Sequence, residues 1–493
     1  MTADCFELHF TSSFVQVRDA EREIYAFDFA EETPTAPILD IAWRGLLGYS
    51  QYNTRMTDQK IYACIDYEDP YVQPLLLDAV KARLPSELLE LVKDASELPS
   101  ADSKFLQWRQ YESLDFDRLM SGSQACLSNS YVIRKALIRK HYLATTVAHW
   151  LTKNPESALK RHVKPGIEFE VDFAEFLDDA LIEAFELHEC WQRNASKDLS
   201  EKEWWILKPG MSDRGQGIRL FSSEEELTGI FEEWDPPSDD EEEDDGDAHS
   251  DDEENAPAPT ARDEDDEDKG IMTSQLRHFV AQPYIDPPLL MPSPHPSAGR
   301  KFHIRTYVLA TDALKVFVYK PMLALFAGKP YAPPSTLAGT EPDLSAHLTN
   351  TCLQTGEREG SVHAFWSLPS SHPDLKAADW REDVFKQICD ATGQVFEAAA
   401  RSMSIHFQPL PNAFELYGLD FMVDGEGTAW LMEVNAFPDF AQTGGELQNL
   451  VKGLMEDVVD VAIKPFFRIE EGSKPAGDKD GLVRVLDVDL GKK

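Results

Sequence analysis

The sequence contains no apolar run approaching the roughly 20 residues needed to span a bilayer. Its opening, Met1-Thr-Ala-Asp-Cys5-Phe-Glu, carries acid and no basic n-region, so no secretory signal is expected. The six cysteines (Cys5, Cys64, Cys126, Cys190, Cys352, Cys389) include no CxxC pair. That argues against a zinc cluster and for reduced thiols in a cytoplasmic protein. Bases are scarce: 47 Lys and Arg face 88 Asp and Glu, a net charge of −41. Such a field repels phosphate backbones, so direct nucleic-acid binding is not expected. It also repels acidic proteins unless a local basic groove overrides it. There are no internal repeats, and the GxxxxGK[ST] phosphate loop is missing.

What is present is enough apolar material, 42% of 493 residues, for two or three core-forming units. The pattern divides into a small N-terminal α/β unit (1–130), a central unit (131–283), a C-terminal unit rich in antiparallel hairpins (284–470) and a tail (471–493). In the first, 5–17 and Ile61–Asp66 read as strands. Val72–Leu84 reads as a helix, and a second helix is expected from Pro85. A single strong helix is expected over Tyr131–Leu151. Glu203–Lys208 reads as a strand entering a glycine loop, with 218–221 returning and Ser223 and Glu226 capping the next helix. Residues 235–269 are almost all Asp, Glu, Pro, Gly, Ser and Ala and cannot build a core. They read as a disordered acidic insertion and solvated spacer, because a strand pattern resumes at 277–285. Downstream, hairpins are expected at 300–320 and 416–434, loop at 328–345 and helices at 380–405 and 445–467. The segment 482–490 reads as a docking strand, and Trp204 and Trp205 as core beside the loop.

Four local patterns carry chemistry. In the second hairpin, Asp420, Glu433 and Asn435 can converge, since 433 and 435 lie on one strand face. Hard oxygen donors of this kind suit Mg²⁺, which takes phosphate oxygens as further ligands; solvated strand ends are the alternative. Lys208 precedes a loop with Gly210, Gly215 and Gly217. Glycines let the backbone approach an anion and a lysine adds a point charge; an ordinary strand–turn–strand is the alternative. Lys301, His303 and Arg305 alternate along one strand face, which is either a cationic groove or a half-exposed sheet face. The string His347-Leu-Thr349-Asn350 is weak alone.

Taken in order, these strings resemble the tubulin–tyrosine ligase family. They are the lysine with its glycine loop, Gln282-x-Tyr284-Ile285, Arg-Lys301-Phe-x-x-Arg305-x-Tyr-Val-Leu, His-Leu-Thr-Asn and Asp420-Phe-Met-Val…Glu433-Val-Asn435. The match runs over roughly 130–465. Around Ile65-Asp-Tyr-Glu-Asp-Pro it resembles the fungal branch that includes the ligase-like module of a yeast processing-body-associated protein. The resemblance implies an ATP-grasp fold, with a small N-terminal α/β domain, a central domain and a C-terminal antiparallel-sheet domain. It also implies a ligase that uses Mg-ATP to join an amino acid to a protein carboxylate.

By position it assigns Lys135 and Lys208, with Gly215 and Gly217, to ATP phosphates. Gln282, Tyr284 and Ile285 go to adenine. Lys301, His303 and Arg305 line the triphosphate, Thr349 and Asn350 border phosphate or amino acid, and Asp420, Glu433 and Asn435 hold Mg²⁺. Lys301, Arg305, Lys320 and Asn350 are the expected catalytic set. The chain departs from the family at His303, where Asp is usual, at Pro283, and at Lys320, which lacks the arginine fork suited to carboxylates. The acceptor implied is a protein, with tubulin the family default. A second reading is an ATP-binding module with little ligase activity, tied to mRNA-decay factors.

Overall fold

A computed structural model describes residues 60–121, 125–211, 215–235, 276–337, 344–349, 361–445, 447–469 and 481–491, and the strands 7–10, 14–18 and 24–28. Two compact units result, residues 1–61 and 62–493. In the first, β1 (Glu7–Phe10), β2 (Phe14–Arg18) and β3 (Ile24–Asp28) form an antiparallel meander. The stretch expected as one strand thus holds two, β1 and β2.

The second unit begins with a four-stranded sheet of order β5-β4-β6-β7. Its strands are β4 (Ile61–Asp66), β5 (Leu89–Leu91), β6 (Lys104–Arg109) and β7 (Cys126–Ser128). Helix α1 (Val72–Arg83) follows β4 as expected and buries Val72, Leu75, Leu76, Ala79 and Val80. The helix expected from Pro85 does not form. Pairing with the edge of β4, where Val92 N–H donates to the Ala63 carbonyl at 3.0 Å, turns the segment into strand.

The expected helix over 131–151 is broken in two. Helix α2 (Lys135–Ile138) ends at Arg139, whose backbone is extended, and α3 (Lys140–Lys153) starts afresh. Tertiary bonds hold the break: Ala136 N–H donates to the His406 carbonyl at 2.9 Å and Lys140 N–H to the Gly210 carbonyl at 3.4 Å.

A second four-stranded sheet has the order β10-β9-β11-β8. It comprises β8 (Ile167–Glu170), β9 (Trp205–Pro209), β10 (Arg219–Phe221) and β11 (His278–Pro283). Helices α4 (Leu177–Ala180), α5 (Phe185–Asn194) and α6 (Glu224–Trp234) share its core, which includes Trp205. The expected cap forms, with Ser223 Oγ accepting from Glu226 N–H at 3.2 Å. The reciprocal carboxylate bond goes one residue back, to Ser222. Beyond Asp235, the acidic insertion lies outside the described residues.

The largest sheet is built on β12 (Arg300–Thr311). One edge of this strand is shared: β14 (Leu323–Pro330) pairs along Arg300–Arg305 and β13 (Lys315–Tyr319) along Val308–Thr311. The other edge pairs with β16 (Phe414–Val423), which pairs in turn with β17 (Ala429–Ala436). Strand β14, in sequence expected partly as loop, is thus held by a free half-edge of β12. Strands β15 (Val362–Ala364) and β18 (Leu482–Asp487) cover β14 and β13. The tail therefore docks as a strand. Helix α7 (Trp380–Ser402) packs behind the sheet, and Gly393 within it admits β18. A side chain there would put its Cβ 2.8 Å from the Val485 carbonyl oxygen. Helix α8 (Gln448–Val458) lies in the region expected to be helical.

A buried ion pair ties the first sheet's flank to the large one. Arg134 Nε lies 2.9 Å from Glu415 Oε1, and its guanidinium sits 3.7 Å from the Tyr111 ring centre. Tyr131 N–H and Tyr417 O–H also donate to Glu415, at 3.2 and 2.7 Å. Burial pushes the Glu415 carboxyl up to about 7, with Arg134 and these donors opposing it. Replacing Arg134 by Met leaves this carboxyl without its cation. The expected loss is about 3–5 kcal/mol, read from urea unfolding.

Candidate active site

Strand alternation on β12 sends Phe302, Ile304 and Val308 into the core against α7, and Lys301, His303 and Arg305 to the opposite face. That face is buried: the three side chains are 3%, 2% and 7% exposed. The half-exposed alternative is thereby excluded. Arg305 stands directly across the ladder from Asp420 on β16. The pair is bidentate, Nε to Oδ1 at 2.5 Å and Nη2 to Oδ2 at 3.1 Å.

Glu433 reaches the same face through a bulge. Asp420 is paired with Glu433, but the next pair is Phe421 with Leu431, so Met432 is an extra residue in β17. Without that shift Leu431 and Glu433 would share a face. With it, Leu431 enters the core while Glu433 meets Asp420. Asn435 Nδ2 donates to Glu433 Oε1 at 3.1 Å, and Lys140 Nζ lies 3.4 Å from Oε2. Burial alone would raise the Glu433 carboxyl. Lys140, Asn435, Asp420 and Lys208 outweigh it and hold the group well below the usual range.

The central sheet contributes Lys208, whose Nζ donates to Gln282 Oε1 at 2.9 Å. Gly215 follows with φ +80°, a conformation side chains disfavour. These elements line one open cleft. Its apolar walls are Ile206, Ile218, Leu348, Met422 and Met432. Its cations are Lys140, Lys208 and Lys301. Burial pushes Lys208 down to about 8, and burial with repulsion from Lys208 pushes Lys301 down to about 7. Amines gathered at this cost, in a cleft, mark an anion site.

A sequence profile of the tubulin–tyrosine ligase family matches residues 130–470. The chain belongs to that family. A probable tubulin–tyrosine ligase of Schizosaccharomyces pombe is 43% identical over 412 residues, 83% of this chain and 93% of that protein. The probable tubulin–tyrosine ligase Pby1 of Saccharomyces cerevisiae is 40% identical over 445 residues, 88% of this chain. That match covers 56% of Pby1, so the chain spans little more than half of this relative. The crystal structure of the C-terminal domain of K. lactis Pby1, an ATP-grasp enzyme interacting with the mRNA decapping enzyme Dcp2, aligns with a TM-score of 0.61 at 35% identity. It covers 87% of this chain and 99% of that domain. The fold is therefore ATP-grasp.

Against the positions that the ligase family implies, Lys208, Gly215, Lys301, His303, Thr349, Asp420, Glu433 and Asn435 line one cleft. Arg305 sits beneath it on Asp420. Other positions differ. Lys135 is exposed on α2 and absent from the lining; Lys140, brought round by the break at Arg139, takes the cationic place. Gly217 packs its backbone on Pro209, where a Cβ would come within 2.6 Å, and does not line the cleft. Gln282 supports Lys208 from behind. Tyr284 N–H is spent on the Trp204 carbonyl at 2.8 Å, and Ile285 is buried. The Tyr284 hydroxyl instead accepts from Lys301 Nζ at 2.8 Å.

Lys320 turns away from the cleft. Val318 shares the core face with Val308, its ladder partner, so Tyr319 takes the cleft-side face and Lys320 points back to α7. There its Nζ meets Glu382 Oε1 at 3.1 Å. Asn350 lies outside the described residues.

Asp420, Glu433 and Asn435 suit a hard cation in their donor chemistry. Among the described residues no three His, Cys, Asp or Glu form a ready cage. Both carboxylates are engaged by Arg305 and Lys140, so the oxygens fit a metal that arrives with phosphate ligands of its own.

The lysines make binding pH-dependent. Their depressed folded values mean that the unfolded chain holds more protons between about pH 7 and 10.5, so ligand-free stability rises with pH across that window. A polyanion favours the charged amines. Calorimetry with a non-hydrolysable ATP analogue at pH 8, in buffers of different ionisation enthalpy, should show uptake of roughly one proton. Affinity should fall as pH rises towards 9.

Proposed function

We propose that the chain is a Mg-ATP-dependent carboxylate–amine ligase that adds an amino acid to a protein carboxylate. The supporting observation is the convergence of Lys140, Lys208, Lys301 and Arg305 with Asp420, Glu433 and Asn435 around one cleft. In this reading Ile206, Ile218, Met422 and Met432 flank the adenine, and Lys208 and Lys301 hold the phosphates. Asp420, Glu433 and Asn435 would hold Mg²⁺, which neutralises charge on the transferring phosphoryl group. The acceptor carboxylate oxygen attacks the γ-phosphorus and ADP leaves, giving an acyl phosphate. An amino-acid amine then attacks the acyl carbon, phosphate departs, and the nitrogen sheds its proton. Arg305 and Lys301 are fixed before the reaction and need no reorganisation as charge develops.

A second reading, an ATP-binding module with little ligase activity that associates with mRNA-decay factors, is favoured by two observations. His303 replaces the family's usual Asp, its Nδ1 2.6 Å from Thr349 Oγ1. Lys320, at a position expected to serve the substrate, is committed to Glu382. The K. lactis relative's interaction with Dcp2 supports it from outside the chain.

Incubation with Mg-ATP, labelled amino acids, tubulin and lysate proteins separates the two. The ligase predicts incorporation that falls on the order of 10²-fold or more in Glu433→Gln. Equal counts for wild type and variant would leave the second reading, which predicts copurification with decapping factors and not with tubulin alone.

A further inference from the structure

Lys301 heads a chain of polar side chains that the phosphate-binding role leaves unused. Its Nζ sits 4.1 Å from the Tyr284 ring centre as well as 2.8 Å from the Tyr284 hydroxyl. That hydroxyl also lies 2.8 Å from His347 Nδ1. All three residues are buried. Lys301 and His347 line the cleft, and Tyr284 does not.

The donors and acceptors give this chain a direction. An ammonium can only donate, so against a charged Lys301 the Tyr284 oxygen accepts. The hydroxyl's single proton then goes to His347 Nδ1. That nitrogen must be unprotonated, which makes His347 a neutral imidazole with its proton on Nε2. A protonated His347 would instead donate into the oxygen that Lys301 uses. Passing its own proton on makes the tyrosine oxygen a stronger acceptor.

The charges around Lys301 come from several elements. Burial disfavours its ammonium first, and Lys208 on β9 adds repulsion. Asp286, after β11, favours it. Asp286 is exposed and accepts from the Tyr331 hydroxyl at 2.6 Å. The Tyr331 ring meets His347, with 5.9 Å between centres. On β12 itself, His303 is the titratable neighbour two residues along.

We infer that Tyr284, with His347 as its proton acceptor, is a positioning residue that keeps Lys301 charged and aimed at a bound anion. The inference rests on the reading of the cleft as a phosphate site. It gives Tyr284 a task that its backbone N–H, spent on Trp204, does not perform. Without the hydroxyl, the ammonium loses a bond that the neutral amine does not need. Lys301 should then give up its proton at lower pH.

The test uses the full chain with carbon-13-labelled lysine and NMR detection. The Lys301 resonance is the one missing from Lys301→Arg. In ligand-free Tyr284→Phe its titration midpoint should fall by about one pH unit. Affinity for a non-hydrolysable ATP analogue should then drop about tenfold at pH 8. It should change little at pH 5.5, where Lys301 is charged in both proteins. A merely structural tyrosine would cost the same at both pH values. His347→Leu should lower the midpoint too. His347→Asn, whose amide oxygen can accept the Tyr284 proton, should bring it back towards wild type. Melting temperatures check the fold of each variant. An unchanged midpoint in Tyr284→Phe, an equal loss of affinity at both pH values, or no difference between the two His347 variants overturns the proposal. The midpoint is read without ligand, so it decides the role of Tyr284 even if the chain binds no ATP and the ligase reading fails.

Discussion

The ion pair between Arg305 and Asp420 sets the rest of the site. These residues face each other across adjoining strands, buried and bidentate, so the pair holds β12 and β16 in register at the point where the cleft opens. Removing one partner of such a pair is strongly destabilising, because the other is left as an uncompensated buried charge. The geometry makes Asp420 the counter-ion of Arg305, and in the proposed ligase reading the same carboxylate would serve as an oxygen donor for a metal.

Around that pair the protein tolerates a local excess of cation. Burial depresses both Lys208 and Lys301, Lys140 adds to the effect on Lys208 and Lys208 to that on Lys301, and Lys140 itself lies 3.4 Å from Glu433. A core would not retain such groups for packing alone. An incoming polyanion would relieve that repulsion, coupling anion affinity to proton uptake through Lys208 and Lys301 on two separate strands.

Much of this was legible from motif order. Lys208, Lys301, Arg305, Asp420, Glu433 and Asn435 come together as their strings imply, because strand alternation fixes which residues share a face. The failures are failures of parity and of long-range pairing. Lys320 was read as a site residue, but parity counted from Val318 sends it to α7. Met432 reaches the cleft only through a one-residue bulge that alternation cannot reveal. Lys140 lines the cleft and Lys135 does not, because bonds to His406 and Gly210, remote in sequence, break a segment with good helical periodicity. Strand β14 is stabilised by a half-edge of β12 that local composition does not advertise.

Gly393 has a consequence for solubility. It lies on α7, behind the sheet, and its missing side chain is what lets Val485 and the rest of β18 settle along β13. Without that cover, β13 would offer a bare row of amides and carbonyls to any neighbouring molecule. A substitution at 393 thus touches none of the chemistry. Its damage would show as precipitation of chains whose cleft residues are all in place.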